Sequence, residues 1–226
     1  MKKLMTILII LITTVIFSVP IENFVLRNFN DAFEVANLTN KKVVIMFSTP
    51  TCPACIEFKR STLLDEEIQK WLRTEFVFAE IYPTNEIAIF QGDEFRYGDL
   101  FFVLGARYTP TFVFFEADQT PVGAITGAYP PEIFLDVLKY VNYDLNNEIS
   151  LDKFIQEQIG KNIDIQPKTI YLSQNEIERL VYLDPNTKLY DSKKQLDPFT
   201  NIVLIDPYKN SSDLDEFYIK IIEENL

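Results

Sequence analysis

Cys52 and Cys55 are the only cysteines in the 226-residue chain, and only Pro53 and Ala54 separate them. Two thiols at this spacing can exchange with a disulfide, form a bridge of their own, or supply half of a zinc site. Zinc needs four donors, and with no histidine and no further thiol only carboxylates or a second chain could complete the set. A purely structural bridge would close a very short loop and remove little chain entropy. A redox pair is the reading with least against it. The lack of histidine also removes the usual general base and any Ser-His or Cys-His nucleophile pair. Chemistry must come from thiols, carboxylates, lysines, tyrosines or backbone groups.

The pair needs a rigid support, and the preceding residues supply one. Val43–Phe47 is β-branched and apolar without alternation, which suits a central strand covered on both faces. A polar turn, Ser48–Thr51, follows, and Pro53 fits the first turn of a helix, where its missing N–H is not needed. That helix is expected to carry Ile56, Phe58 and Leu63. Asp65-Glu66-Glu67 then place acids at the positive end of a further helix bearing Ile68, Trp71 and Leu72. Phe24–Leu26 and Phe76–Ile81 read as strands, and Asn30-Asp31 as the cap of a helix through Ala36. Tyr82–Arg96, polar and punctuated by Pro83 and Gly92, reads as a long loop. Tyr97–Leu104 reads as a helix ended by Gly105. Phe112–Phe115 and Val122–Ile125 flank turn residues Ala117–Thr120 as an antiparallel pair, and a helix follows over Glu132–Tyr140. The order β-α-β-α-β-α-β-β-α, a crossover half followed by a hairpin half, predicts an α/β mixed sheet flanked by helices.

The chain is long enough, and at 47% hydrophobic apolar enough, for one domain or one domain plus an annex. Its net charge of -12 argues against nucleic acid, since little would neutralise phosphates, and favours solubility. Residues 1–20 have a basic start at Lys2-Lys3, an apolar run from Leu4 to Phe17, then Ser18 and Pro20. That is the layout of a secretory signal peptide, or of an uncleaved anchor over residues 4–19. Either version exports the remainder. From residue 144 the texture changes. A helix is expected over Leu151–Ile159 and a strand over Ile170–Leu172, followed by a helix capped by Ser173 and Glu176. Val181–Leu183 and Lys188–Tyr190 are read as a hairpin around Asp184–Thr187, Ile202–Ile205 as a strand, and Leu214–Glu223 as an amphipathic helix. Residues 144–226 thus form a small C-terminal α+β annex with no chemistry legible in it.

Cys52-Pro53-Ala54-Cys55 after a buried strand, with Tyr108-Thr109-Pro110-Thr111-Phe112 before the hairpin, resembles the thioredoxin superfamily over residues 21–143. The stretches Tyr129-Pro130-Pro131-Glu132-Ile133-Phe134-Leu135 and Leu138-Lys139-Tyr140-Val141 look like the exported thioredoxin-like proteins associated with bacterial sulfur oxidation.

The resemblance implies a thioredoxin-like fold and a thiol-disulfide oxidoreductase; the alternative is a membrane-anchored binding or assembly protein that keeps the fold and uses the C-terminal annex. It assigns Cys52 as nucleophile, Cys55 as resolving thiol, and Pro110 as a cis-proline that leaves the Thr109 backbone free to pair with substrate. It implies no cofactor and no metal. The partners would be cysteine-containing envelope proteins and a membrane or soluble electron donor, in the periplasm or on the extracytoplasmic face of the membrane. Two positions depart from thioredoxins proper. Their buried acid, six residues before the first cysteine, is Met46 here, and their tryptophan is Thr51. Glu80 on the neighbouring strand is the candidate replacement as proton acceptor, against the reading of an exposed strand-end carboxylate. Pro-Ala between the cysteines resembles glutaredoxin-type and DsbA-type pairs, and reduction is favoured over oxidation or isomerisation. Tyr97, Phe101, Phe102 and Tyr108 could line a substrate groove, although helical spacing of the first three favours the core.

Overall fold

The computed structural model describes residues 18–204 and 214–224. Residues 1–17, which hold most of the expected signal or anchor, lie outside this range, as do Ile205 and Asp213. Among the described residues no helix is long and apolar enough to cross a membrane.

The first body is a five-stranded mixed sheet built from β1 (Val25–Leu26), β2 (Lys42–Phe47), β3 (Phe76–Ile81), β6 (Thr111–Phe115) and β7 (Pro121–Thr126), in the order β1-β3-β2-β6-β7. β1, β3 and β2 run parallel, and β6 and β7 are antiparallel. Every residue of β2 from Val43 onward is buried, as its unbroken apolar run requires. Val43, Ile45 and Phe47 pack on one side with α1 (Phe29–Thr39) and α4 (Tyr97–Val103). Val44 and Met46 pack on the other with α2 (Pro53–Arg60), α3 (Glu66–Thr74) and α5 (Pro131–Asn142). This is the α/β architecture expected.

Two local expectations need correction here. The cap of α1 is Asn28, whose side chain accepts from the Asp31 N–H, and not Asn30, which bonds the Ile87 carbonyl oxygen and the Ile89 N–H instead. Within the expected loop Tyr82–Arg96 stands a hairpin, β4 (Ile87–Phe90) and β5 (Asp93–Arg96). Its two-residue turn is Gln91-Gly92, both with positive φ (52° and 91°), the conformation that lets strands keep their twist through a tight reversal. Ala88 and Phe90 face inward from it.

Residues beyond α5 first strap the α3–α5 surface. α6 (Leu151–Gln156), which ends short of the expected Ile159, buries Phe154 beside Tyr140. Lys139 donates to the Gly160 carbonyl oxygen and Lys70 pairs with Asp164. The second sheet then joins β8 (Lys168–Leu172), β9 (Thr187–Leu189), β10 (Asn201–Leu204) and β11 (Ile219–Glu223) in the order β8-β11-β10-β9, all parallel. The expected hairpin is therefore absent: Val181–Leu183 is the last turn of α7 (Gln174–Leu183), and β9 pairs with β10. The Ser173–Glu176 capping box is formed as read, and Ile177, Leu180 and Leu183 lie on one buried side of α7. The helix expected over Leu214–Glu223 is also overturned, because Ile219, Ile221 and Ile222 are strand residues of β11, held between β8 and β10.

The two sheets share one core. Leu172, Ile177, Leu180, Val203, Ile219 and Ile221 belong to the cluster that contains α1. Arg179 grips Glu34 through two bonds, of 2.5 and 2.7 Å. Lys41, just before β2, is 5% exposed and donates to the Arg73 carbonyl oxygen at 2.7 Å and to Asn201 Oδ1 at 3.0 Å. The Lys41 contacts and the Arg73–Asp197 pair sit at the start of β2 and the end of α3, so the annex covers the end of the first sheet opposite to the cysteines.

Burial lowers the pKa of Lys41 to about 8, with Arg73 and Lys168 acting the same way and Asp184 and Glu75 opposing them. An unfolded lysine keeps its proton up to an ordinary value of 10.5. Below pH 8 both states are protonated and the folded protein bears the full penalty. Between the two values the unfolded state binds more protons, so stability rises with pH, by about 3 kcal/mol for this group. Urea denaturation at pH 8 and pH 10.5 will show the rise, and Lys41→Met will flatten it. An equal slope in both proteins would refute the assignment.

Candidate active site

β2 ends at Phe47 and delivers the chain into Ser48–Thr51, where the Cys52 N–H donates to the Thr49 carbonyl oxygen at 3.2 Å. Cys52 is the N-cap of α2 and Pro53 its first residue. Cys52 Sγ accepts from the Cys55 N–H at 3.1 Å, so the sulfur sits where the helix presents unpaired N–H groups and its positive end. Cys52 and Cys55 are joined as a disulfide, their Cα atoms 5.3 Å apart. Cys52 keeps 7% of its surface and Cys55 none, so only the first sulfur can be reached from outside.

The opposite lip is the loop before β6. The Thr109–Pro110 peptide is cis, and the Thr109 carbonyl oxygen lies 3.4 Å from Cys52 Sγ. Thr111 Oγ1 donates to the Tyr108 carbonyl oxygen at 2.7 Å, and the Gly127 N–H donates to the Pro110 carbonyl oxygen at 2.8 Å, which fixes the loop against β7. Among the described residues the Thr109 N–H has no partner.

Beneath the pair, Met46 packs in the same cluster as both cysteines and lies in register with Glu80 on β3. Glu80 is 2% exposed, not an exposed strand-end carboxylate. Neighbouring residues of paired strands share a face, so its side chain turns toward α2. There Lys59 Nζ contacts both carboxylate oxygens, at 2.8 and 3.2 Å, and Arg27 pairs with it from the far side. Burial alone would raise the Glu80 pKa; Lys59, Ser48 and Arg27 outweigh it and hold the carboxyl below the usual glutamate range. The buried Ser48 hydroxyl is outside hydrogen-bond geometry yet near enough to favour the charge. Lys59 stands four residues after Cys55, one turn further on the same side of α2.

Sequence reasoning missed Lys59, Arg27 and Ser48. The i,i+4 spacing from Cys55 could have flagged Lys59, whereas Arg27 and Ser48 meet Glu80 only through the sheet. Of the four aromatics considered for a groove, Tyr97 and Phe101 are core residues, and Phe102 and Tyr108 are exposed.

A helix-capping cysteine pair that is a disulfide beside a cis-proline loop places the chain in the class of thioredoxin-like thiol-disulfide oxidoreductases. The profile of the thioredoxin-like domain matches residues 29–142, and the chain belongs to that family. Similar solved structures include a thioredoxin-fold protein from Helicobacter pylori, at 14% identity and a TM-score of 0.41 over 58% of this chain and 92% of that one. A thioredoxin from Thermus thermophilus matches at 26% identity and 0.42, over 51% of this chain and 86% of its own. The oxidised C-terminal domain of DsbD from Neisseria meningitidis matches at 21% and 0.38, over 47% and 86%. No curated protein matches the chain.

Proposed function

We propose that the protein is exported and exchanges disulfides with cysteine-containing envelope proteins, acting mainly as a reductant replenished by a membrane or soluble electron donor. The observation that carries this reading is the asymmetry of the pair: one sulfur accessible at a helix N-terminus, its partner fully buried behind it. In the reduced protein, Cys52 thiolate attacks a substrate disulfide and releases the first substrate thiol. Cys55 then attacks Cys52 Sγ, releases the second, and leaves the Cys52–Cys55 disulfide. Two electrons pass to the substrate, and the donor returns them. Thr109, with its free N–H, pairs with the substrate backbone in strand fashion, and Pro110 closes the site over the sulfurs. The export signal is expected in residues 1–20 or, as an anchor, in 4–19, and the basic start at Lys2-Lys3 followed by the apolar run from Leu4 to Phe17 supports that placement. Turnover of a peptide disulfide by the reduced full chain, together with its recovery in the periplasmic or membrane fraction, tests the reading. No turnover, or cytoplasmic recovery, would sink it.

Within this reading Glu80 receives the Cys55 proton. Its depressed affinity makes it a weak base that holds the proton only in passing. Glu80→Gln is expected to slow release of the second substrate thiol by roughly tenfold to a hundredfold while the first attack persists. Its folded pKa lies below the ordinary 4.5, so ionised Glu80 contributes stability that is complete above that value. The contribution is lost as pH falls through the lower, folded pKa. Acid unfolding of Glu80→Gln will therefore depend less steeply on pH. Unchanged resolution kinetics would remove Glu80 from the proton path.

A further inference from the structure

Phe102 and Tyr108 are 66% and 76% exposed, large for aromatic side chains, and Val103, next to Phe102 in the chain, is 48% exposed. Tyr108 immediately precedes Thr109, which lies against the disulfide. The Arg107 guanidinium lies over the Phe102 ring, 4.0 Å from its centroid. Among the described residues no carboxylate pairs with Arg107, whereas the cations beneath the cysteines, Lys59 and Arg27, are both taken by Glu80. Arg107 is two residues from Thr109, at most about 7 Å along the chain, and Thr109 touches Cys52 Sγ. A substrate segment paired with Thr109 is therefore within reach of Tyr108, Arg107 and the Phe102 ring stacked on Arg107.

We propose that Phe102, Arg107 and Tyr108 form a docking ledge for an extended protein segment that carries an acidic residue beside its cysteine. The proposal rests on the exchange reading above and adds the substrate's chemistry to it. The two rings cover apolar side chains of the segment, and stacking on Phe102 holds the guanidinium flat with its N–H edge free for a carboxylate. The net charge of -12 opposes an acidic partner at long range, but salt screens that field beyond about 8 Å, while Arg107 acts at contact. The ledge selects by local charge.

The test uses the reduced full chain and short peptides whose single cysteine is held in a mixed disulfide with thionitrobenzoate. The peptides differ at one position flanking the cysteine, which is Asp, Ser or Lys. Both protein thiols are oxidised to the disulfide, and peptide thiol and thionitrobenzoate are released. At about 0.15 M salt, where the long-range field is screened, the Asp peptide is expected to react about fivefold faster than the Ser peptide and the Lys peptide slower still, the range of an exposed ion pair. Arg107→Gln should remove this order, Arg107→Lys should keep much of it, and Arg107→Glu should invert it. Equal rates with the wild-type protein, or an order that survives Arg107→Gln, would overturn the ledge and leave the exchange reading standing. Failure to react with any of the peptides would overturn the exchange reading, and the ledge with it.

Discussion

Cys52→Ser is expected to abolish disulfide exchange, and Cys55→Ser to stop it one step later with substrate still attached. The difference follows from access. Cys55 has no exposed surface and Cys52 keeps a small one at the N-cap of α2, so with Cys52 removed the remaining thiol cannot reach a protein substrate. Turnover should drop to the rate of the uncatalysed reductant. With Cys55 removed, Cys52 retains the helix N–H groups that favour its thiolate, the first attack proceeds, and nothing resolves the product. Non-reducing electrophoresis and mass spectrometry of Cys55→Ser will then show covalent adducts that reductant dissolves, and the adducts will name the substrates. Turnover surviving in Cys52→Ser would end the assignment of the nucleophile.

Arg73→Ala should cost about 3–5 kcal/mol of stability, the usual penalty for removing one partner of a buried charge pair. Arg73 is 3% exposed at the end of α3. Its Nε donates to Asn186 Oδ1 at 2.8 Å, its Nη2 pairs with Asp197 at 2.9 Å, and the Phe24 and Phe199 rings flank the guanidinium. Truncation removes the cation facing Asp197, leaves Asn186 Oδ1 without its donor, both on the annex side, and opens the space between two rings. Lysine cannot reach these partners together, so Arg73→Lys should recover little. Urea denaturation measures the loss. Limited proteolysis should cut the annex first while exchange activity persists, since the annex lies at the other end of the sheet from the disulfide. A loss under about 1 kcal/mol would mean that the cluster is not what joins the two sheets.

Local patterns carried most of the reading. An apolar run, a polar turn and Pro53 located β2, the N-cap cysteine and α2. Thr109-Pro110 before an apolar strand located the second lip. The hairpin β4–β5 escaped because its turn is Gln91-Gly92, where Asn-Gly or Asp-Gly is the usual signal, and Pro83 with polar neighbours suggested a loop. Leu214–Glu223 misled in another way. Its apolar spacing suits a helix, but Ile219, Ile221 and Ile222 are β-branched, and the gap between β8 and β10 decides their conformation. Val181–Leu183 read as a strand because short apolar runs are ambiguous, and the capping box upstream settled them as helix. The ion-pair network around Glu80 joins Arg27, Ser48 and Lys59 from separate elements, and no local spacing connects Arg27 or Ser48 to the carboxylate.

The position of β11 imposes an order in time. It is the last of the four annex strands to be synthesised, yet it stands in the middle of their sheet, between β8 and β10. The sheet that contains the exchange site has all its strands by Thr126, whereas β8 has no neighbour until Ile219–Glu223 arrives, about fifty residues later. During vectorial synthesis the strands of the exchange-site sheet can therefore pair first, while β8 waits for β11 to join it to β10 and β9.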